Sequence, residues 1–393
     1  MNYKAFCDRY AIERRGTNSL KWDALGERFG DPDLTAAWVA DMEFKAPEEV
    51  LDAIKKRVDH GVFGYSYVWQ SYYDAFINWE KDRFGYEVKP EWMRFSTGIV
   101  TALYWFVNAF TKPKESVMIL TPVYYPFHNA VKDTDRNLVI SELVNDKGIY
   151  SIDYEDFERK VIAEDVKLFI HCSPHNPVGR VWTKEESSKL LSICKKHNVL
   201  VISDEIHQDL VFGEHRHIPT AIIDDGAYAN NLITVTAPSK TFNLAGLLVS
   251  HIIISNESVR EQFDHYVKTV NQTEVNILGM TGAEAAYTHG EEWLSGLLSV
   301  IQHNYTYLKG ELLKHAPNLV IAPLEGTYLV WIDLRAYINP KKTKEFIQDQ
   351  CGVAIDYGEW FGTQGYGFIR INLATDTKII ERVVANMIKH LPV

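Results

Sequence analysis

The chain has 393 residues, of which 46% are apolar and 24% are charged, so it is long enough for two globular domains. Its formal net charge of −11 argues against an extended surface for nucleic acid or for an anionic membrane. Four widely spaced cysteines without a C-x-x-C pair, and the lack of a signal peptide or a long apolar run, indicate a reduced, cytoplasmic protein without a membrane partner.

The middle of the chain alternates strand-like and helix-like segments. The strand-like runs are "SVMILTP" (116–122), "VKLFIHCSP" (166–174), "VLVISDEI" (199–206), "LITVTAPS" (232–239) and "LVSHIIIS" (248–255). A helix is predicted over 183–197, where Thr183 followed by Glu186 is typical of a capping box. This alternation predicts an α/β fold with a mostly parallel sheet, whose functional groups gather beyond the carboxyl ends of its strands.

The two ends of the chain predict a second, smaller α+β domain. Strands are predicted in 326–334 and 367–374, and a one-faced helix in 377–391. The N-terminal stretch, rich in loops up to about Phe44, is expected to pack on this domain, and a long helical region from about Asn276 to Leu313 is expected to connect the two. The predicted division is an N-terminal segment 1–47, a large domain 48–285 and a small domain 286–393.

Lys240 is the only Asp, Glu, Lys or Arg between Gly226 and Asn256, in "TAPSKTFNLAGLLVS". One interpretation is that its stem packs in the core and its head reaches water. The other is that it works in a pocket, where burial lowers the pKa of a lysine and produces a nucleophilic amine. The lysine alone does not decide between them.

Other polar residues occupy predicted strand or helix ends, and each has two interpretations. Asp204 is either a buried carboxylate, which is costly unless a cation or strong donor faces it, or the N-cap of a helix. Asn176 in "HNPVG" is functional or belongs to a turn. Gly98 begins a helix whose free amides could bind an anion, which is weak support by itself. Arg370 in "FIRIN" binds a carboxylate or phosphate, or forms an internal salt bridge.

Known motifs for other chemistry are missing. His207, His215 and His217 lie close together, but no Cys or Asp/Glu pattern completes a metal site, and His215 and His217 read as a solvated loop. The sequence has no G-x-G-x-x-G after a strand, no P-loop and no G-x-S-x-G motif. No metal is therefore expected.

The order and spacing of the polar motifs distinguish the interpretations. N-P-x-G at 176 is followed after 28 residues by D-E-x-H at 204, after 36 more by S-K ending at 240, and then by R-x-N at 370. With this layout the chain resembles the fold-type I, class I/II aminotransferase superfamily of pyridoxal-phosphate enzymes, and more closely its bacterial cystathionine β-lyase (C–S lyase) branch. The motifs of the branch are "AWVADMEFKAP" (37–47), "GVFGYSY" (61–67), "LTPVYYPF" (120–127), "CSPHNPVGRVW" (172–182), "ISDEIHQDLVF" (202–212) and "PSKTFNLAGL" (238–247).

The resemblance implies a large domain with a seven-stranded type of sheet, pyridoxal 5'-phosphate as cofactor, and a role for each matching residue. Lys240 would form the Schiff base, Asp204 would pair with the pyridine nitrogen, and Tyr124 would stack on the ring. Asn176 and His207 would bond the phenolic oxygen. The phosphate would be held by Gly98, Ile99, Val100, Ser239 and, from the other subunit of a homodimer, Tyr65. The substrate would be bound by Arg370, Asn176 and Tyr65.

Two positions depart from the usual aminotransferase pattern, and both departures are familiar in the lyase branch. His207 stands where tyrosine is usual, so its titration near neutrality is expected to add pH sensitivity. Leu248 stands where many aminotransferases have a phosphate-binding arginine, which leaves cofactor affinity open.

Three functions follow from the resemblance. The leading hypothesis is α,β-elimination of a sulfur amino acid such as L-cystathionine to pyruvate, ammonia and a thiol such as homocysteine, within methionine biosynthesis, with Lys240 and Tyr124 as catalytic residues. The second is an aminotransferase, which needs the same residues up to the carbanion. The third is a regulatory protein that binds a transcription factor.

Overall fold

The computed structural model describes residues 1–272 and 275–392, which form a central sheet packed on both faces and a smaller sheet beside it. Alternate residues of a central strand enter two different hydrophobic clusters. Leu168 and Ile170 pack in one cluster and Phe169 packs in the other. This alternation follows from the two-residue period of a strand, and it explains why the central strands are apolar throughout.

The strands of the described residues are β1 (Thr35–Ala36), β2 (Met93–Ser96), β3 (Ser116–Thr121), β4 (Asn137–Glu142), β5 (Val144–Asp146), β6 (Ile149–Ser151), β7 (Val166–Cys172), β8 (Leu200–Asp204), β9 (Leu232–Thr236), β10 (Ser250–Ile253), β11 (Val320–Ile321), β12 (Leu329–Asp333), β13 (Val353–Ala354), β14 (Asp356–Tyr357) and β15 (Phe368–Asn372).

The α-helices of the same residues are α1 (Tyr3–Tyr10), α2 (Leu20–Asp23), α3 (Leu25–Phe29), α4 (Glu48–His60), α5 (Gln70–Phe84), α6 (Ile99–Phe110), α7 (Tyr125–Lys132), α8 (Tyr154–Ala163), α9 (Lys184–Lys196), α10 (Pro238–Thr241), α11 (Glu257–Thr269), α12 (Ile277–His289), α13 (Glu291–His315) and α14 (Thr377–His390). Short 3-10 helices include Gly358–Phe361 and Thr363–Gly365. Within the described ranges, no helix is both long and apolar enough to cross a membrane.

The central sheet has seven strands in the order β2-β10-β9-β8-β7-β3-β4. Strand β10 runs antiparallel to both of its neighbours, and the other adjacent pairs are parallel. The predicted α/β fold with a mostly parallel sheet is therefore confirmed. The carboxyl ends of β3, β7, β8 and β9 meet at one edge of the sheet, which is where such folds bind ligands.

The smaller sheet has the antiparallel order β11-β12-β15-β14, as the predicted α+β part requires. The N-terminal segment contacts this part of the chain, since β1 pairs with β13 and Asn372 donates its amide N–H to the Val39 and Asp41 carbonyls. Loops make up much of the stretch up to Phe44, as expected, and the short helices α1 to α3 form within it, with Asn2 capping α1 through the Ala5 amide.

Two predicted strands are shorter than expected, for local backbone reasons. The strand predicted over 232–239 ends at Thr236, because Pro238 opens α10 at a position where its missing N–H costs nothing. The strand predicted over 248–255 begins only at Ser250, because Leu248 has a left-handed φ of 55°. In contrast, the predicted capping box of α9 is present, with the Thr183 and Glu186 side chains each bonded to the other's amide.

The predicted helical connection consists of two helices. The chain turns at Gly290, between α12 and α13, where a Cβ atom would come within 2.4 Å of the Phe242 ring. The predicted boundary at residue 285 lies within α12. The division into 1–47, 48–285 and 286–393 stays a prediction.

Candidate functional site

Lys240 lies on α10, immediately beyond the carboxyl end of β9, and points into the protein. Its Nζ donates a hydrogen bond of 2.7 Å to the Ala40 carbonyl. Burial lowers the pKa of Lys240 to about 8; Asp41 and Asp204 oppose this effect and Arg370 adds to it. The residue as a whole is half-buried, but its amine is held inside the protein at a cavity and does not reach out over the surface, which decides between the two interpretations of the sequence.

A cavity of about 230 Å³ opens beside Lys240. Nine of the predicted site residues line it: Gly98, Ile99, Val100, Tyr124, Asn176, Asp204, His207, Ser239 and Lys240. They come from the ends of different strands and meet because parallel strands bring their carboxyl ends to the same edge of the sheet. The tertiary structure thus gathers almost the whole predicted set.

Asp204 ends β8 and is buried at the wall of the cavity. Its Oδ1 accepts one hydrogen bond, from the Ile206 amide at 3.2 Å. Burial raises the pKa of Asp204 to about 7, with the Ile206 amide and Lys240 acting in the opposite direction. A buried carboxylate with so little compensation is suited to a cationic partner.

His207 is buried on the same wall, and its ring stands edge-on to Tyr328 at 5.8 Å. Burial, with the charges of Lys240 and Arg370, lowers the pKa of His207 well below its ordinary value. The expectation that His207 titrates near neutrality was therefore wrong, because its surroundings disfavour the imidazolium. Its Nδ1 is buried and has no hydrogen-bond partner among the described residues.

The N-terminus of α6 faces the cavity through Gly98, Ile99 and Val100. In the described part of the chain, no side chain caps this terminus, so its first amide groups are open to an external acceptor. Leu248 also lines the cavity and is half-exposed. A leucine cannot donate to an anion, so the candidate donors on this side are the α6 amides and the hydroxyls that line the cavity, such as that of Ser239.

Arg370 is buried on β15 at the other side of Asn176. Its Nη1 donates to the Asn176 side-chain oxygen at 2.9 Å, and its Nη2 donates to Asp356 and, at 3.3 Å, to the Trp38 carbonyl. The internal salt bridge that was one interpretation of Arg370 is therefore present, and the binding of an external carboxylate or phosphate stays a prediction. Its Nε remains buried and unpaired among the described residues.

Sequence reasoning missed Asp356, the carboxylate that pairs with Arg370. The two residues face each other across β14 and β15. A sequence signal existed, since Asp356 stands in the apolar run "VAIDYG", but the pairing of the strands was needed to give it a partner. Thr241 was also missed: it donates to the buried Asp209 at 2.8 Å and so helps to fix α10.

The histidines near Asp204 do not form a metal site. His217 was expected in a solvated loop, and this was wrong: it is buried, and its Nε2 lies 2.9 Å from a Glu205 carboxylate oxygen. Glu205 also accepts from the Ser203 hydroxyl and the Thr220 amide, so burial of the pair is compensated. No cluster of His, Cys, Asp or Glu suited to a metal occurs in the residues that the structure describes.

Tyr65 lies apart from the cavity, in the segment 61–69 that precedes α5 and has no helix or strand. Its side chain is 96% exposed. The structure of one chain therefore does not bring Tyr65 to the other predicted residues, and its contact with a neighbouring subunit stays a prediction.

The polar groups of the cavity complement pyridoxal 5'-phosphate. The amine of Lys240 matches its aldehyde, the uncompensated Asp204 carboxylate matches a protonated ring nitrogen, and the unpaired Nδ1 of His207 can bond the phenolic oxygen. The uncapped start of α6 matches a phosphate. Each part of this group meets a residue of suitable charge or hydrogen-bonding capacity, so the residues present fit it.

Known proteins are similar to this chain in sequence and fold. Cystathionine beta-lyase PatB of Bacillus subtilis is 40% identical over 361 residues, which cover 92% of this chain and 93% of PatB. Cystalysin of Treponema denticola, solved with pyridoxal 5'-phosphate, superposes with a TM-score of 0.93 at 37% identity, over 96% of this chain and 97% of cystalysin. A pyridoxal-phosphate-bound C-S lyase of Staphylococcus hominis superposes with a TM-score of 0.91 at 36% identity, over 100% of this chain and 98% of that one.

The family profile described as aminotransferase class I and II matches residues 40–387. That range contains both sheets and every residue that lines the cavity. The chain therefore belongs to the aminotransferase class I and II family.

Proposed function

We propose that the chain is a pyridoxal-phosphate-dependent C–S β-lyase. It eliminates a thiol from a sulfur amino acid such as L-cystathionine, and forms pyruvate, ammonia and, from cystathionine, homocysteine. The observation that carries the proposal is the buried amine of Lys240, with a pKa of about 8, facing a cavity that also holds Asp204 and His207. The names of PatB and of the C-S lyase structure favour elimination over other reactions of the family.

The cofactor would be held by the residues that line the cavity. Lys240 would bond its aldehyde carbon and Asp204 would face its ring nitrogen. Tyr124, whose pKa is raised by burial, would stack on its ring, and Asn176 and His207 would donate to its phenolic oxygen. Its phosphate would be bound by Gly98, Ile99, Val100 and Ser239. When bound, pyridoxal phosphate withdraws electrons from the α-carbon of an attached amino acid.

Lys240 has the properties of a general base for the α-proton. At pH 7, a lysine with a pKa of about 8 is neutral in roughly a tenth of molecules, compared with roughly one in 3,000 at a pKa of 10.5. Burial therefore makes the free amine several hundred times more abundant, and the pKa lies near the working pH, where proton transfer is efficient. Tyr124 lies on the same cavity wall and would help to protonate the departing sulfur.

Arg370 would bind the substrate α-carboxylate. Its Nη atoms are already engaged by Asn176, Asp356 and the Trp38 carbonyl, and these bonds hold the guanidinium plane in one orientation. The unpaired Nε leaves donor capacity for a carboxylate oxygen. Asn176, which also touches the cavity, would complete the carboxylate site.

The experiment that tests the function combines a spectrum with two product assays. Purified protein is scanned for a visible cofactor band, L-cystathionine is added, and pyruvate and free thiol are measured together. Equal amounts of pyruvate and thiol would support the lyase. A band without thiol release, but with turnover that depends on a keto acid, would favour the aminotransferase that shares these residues.

A matched pair of variants ties the result to the site. Lys240→Ala should lose both the band and the products. Lys195→Ala removes another lysine whose Nζ donates to a backbone carbonyl, that of Ala227 at 2.9 Å, but on α9 outside the cavity. It should keep both. Retention of the band in Lys240→Ala would refute the assignment of the lysine.

We further propose a homodimer in which Tyr65 reaches the phosphate and substrate of the neighbouring site. The segment around Tyr65 exposes Val62, Phe63 and Tyr67 as well, and such an apolar surface is suited to burial against another copy. Mixed dimers test it: Tyr65→Ala and Lys240→Ala chains, each inactive, should regain activity when recombined, because one site then has both residues. No recovery in confirmed mixed dimers would contradict the shared site.

A cytoplasmic location and a role in methionine biosynthesis are parts of the same proposal. All four cysteines are unpaired and three are buried, as a reducing compartment requires. Homocysteine as the released thiol is the chemical link to methionine. Fractionation of cells and growth of a deletion strain on cystathionine as the sulfur source would test the two points.

A further inference from the structure

The segment Trp38–Phe44 crosses the site as a strap whose backbone carbonyls accept hydrogen bonds from side chains elsewhere in the chain. The bonds run from Arg370 to Trp38 (3.3 Å), from Asn372 to Val39 (2.6 Å) and Asp41 (2.7 Å), from Lys240 and Tyr328 to Ala40 (2.7 Å each), and from Asn243 to Met42 (3.1 Å) and Phe44 (2.9 Å). The strap is therefore fixed by side chains from both sides of the site.

The Ala40 carbonyl differs from the others because one of its two side-chain donors is the reactive lysine. The second donor is the hydroxyl of Tyr328, a fully buried residue immediately before β12. A carbonyl that accepts from an ammonium stabilises the charged lysine, whereas a neutral amine is a weak donor and gains little. Two donors on one oxygen compete for the same electron density, so each bond is weaker than it would be alone.

The backbone beside Tyr328 is held in a costly conformation. Thr327 has a φ of 68°, a left-handed value that is unfavourable for a β-branched residue. Its amide donates to the Leu210 carbonyl at 2.8 Å, and its hydroxyl accepts from the Leu329 amide at 3.1 Å. Such strain persists only where the surroundings enforce it, and here it fixes Tyr328 between the strap and the His207 ring.

We propose that Tyr328 is a positioning residue for Lys240: by sharing the Ala40 carbonyl, its hydroxyl weakens the hold of that carbonyl on the lysine ammonium and so favours the free amine. This inference rests on the proposed role of Lys240.

The other groups that face Lys240 are unchanged by the loss of this hydroxyl. The carboxylates of Asp41 and Asp204 favour the ammonium, Arg370 disfavours it, and the buried His207 is neutral. Any change in the protonation of Lys240 on removal of the hydroxyl alone can therefore be assigned to the Ala40 carbonyl.

Tyr328→Phe tests the proposal, with Tyr305→Phe as its control. Tyr305 is also buried, and its hydroxyl also donates to an alanine carbonyl, that of Ala322 at 3.0 Å, but it lies on α13 away from the cavity. The measurement is the rate at which a visible band appears when pyridoxal 5'-phosphate is added to the cofactor-free chain, followed from pH 6 to pH 10, since only the neutral amine reacts.

We expect the midpoint of this pH dependence to move to higher pH in Tyr328→Phe, and the rate at pH 7 to fall roughly three- to tenfold, the effect of half to one pKa unit. Tyr305→Phe should follow the unaltered protein. An unchanged midpoint, a move to lower pH, or an equal move in the control would overturn the proposal. Loss of the fold in Tyr328→Phe alone would also overturn it, because the hydroxyl would then be structural. A band that persists in Lys240→Ala would instead refute the proposed function.

Discussion

Replacing Asp204 by asparagine should stabilise the cofactor-free chain and at the same time disable the enzyme. The carboxylate is buried, accepts one hydrogen bond from the Ile206 amide, and has Lys240 as a weak electrostatic partner. Its surroundings are therefore adapted to a cation that the bound cofactor would supply. Without that cation, the negative charge is a cost to the folded state.

The size of this cost follows from the pKa of Asp204. Burial raises it from an ordinary 3.8 to about 7, and at 1.36 kcal/mol per pKa unit the difference corresponds to about 4 kcal/mol. Because the folded state binds the proton more tightly than the unfolded state, stability falls as the pH rises from about 4 to about 7. The full cost is present above pH 7 and is absent below pH 4.

The assay is urea unfolding of the cofactor-free protein at pH 4.5 and pH 8. Asp204→Asn should be more stable than the unaltered chain by up to about 4 kcal/mol at pH 8, and by only about 1 kcal/mol at pH 4.5. In the loaded enzyme, loss of the charge opposite the ring nitrogen should lower kcat by on the order of 10²-fold or more, as for other charges placed to stabilise a transition state.

Asp156 provides a control, because its pKa is shifted in the opposite direction from that of Asp204. Burial acts to raise the pKa of Asp156, but hydrogen bonds from Lys160 and Ser141 outweigh it, and the pKa is lowered. Asp156→Asn should therefore be less stable than the unaltered chain at pH 8. If Asp204→Asn were destabilised at pH 8, or if its effect were the same at both pH values, the reasoning from burial would be refuted.

Three further variants probe other parts of the site and the fold. Arg370→Lys should raise KM roughly tenfold or more in steady-state kinetics, because an ammonium cannot bond Asn176, Asp356 and a substrate carboxylate in one plane; an unchanged KM would contradict this role. His207→Gln should leave the acid limb of the kcat profile in place, because the buried imidazole is already neutral, and a displaced limb would show that it titrates. Thr183→Ala, which removes the cap of α9, should lower the free energy of unfolding by about 1 kcal/mol with kcat unchanged, and an altered kcat would mean that the cap reaches the site.

Local patterns in the sequence were enough to predict several elements. The capping box at Thr183 was predictable because its partner, Glu186, lies only three residues later in the sequence. The apolar runs of β3, β7 and β8 have the length and composition of buried strands. The errors in predicted strand ends also had local causes. Strand β9 ends before Pro238, because proline readily starts a helix, and β10 begins after Leu248, because a residue with a left-handed φ cannot continue a strand.

Contacts between distant segments were beyond local patterns. The pairing of Asp356 with Arg370 depends on the register of β14 and β15, and the burial of His217 depends on the network around Glu205. The sequence shows that these residues are polar, but it does not show which of them face each other. Tyr328 was overlooked for the same reason, since only the path of the strap brings Ala40 to its hydroxyl.

The sequence by itself determined the α/β alternation, the isolation of Lys240 among apolar strands, and the set of polar residues that follow strand ends. These features depend on neighbours along the chain. Only the tertiary structure decided that the amine of Lys240 lies inside the protein, that His207 is neutral, and that Arg370 forms an ion pair with Asp356. A pKa and a hydrogen bond depend on distance and burial in space, and these are fixed only when the strands and the strap meet at the edge of the sheet.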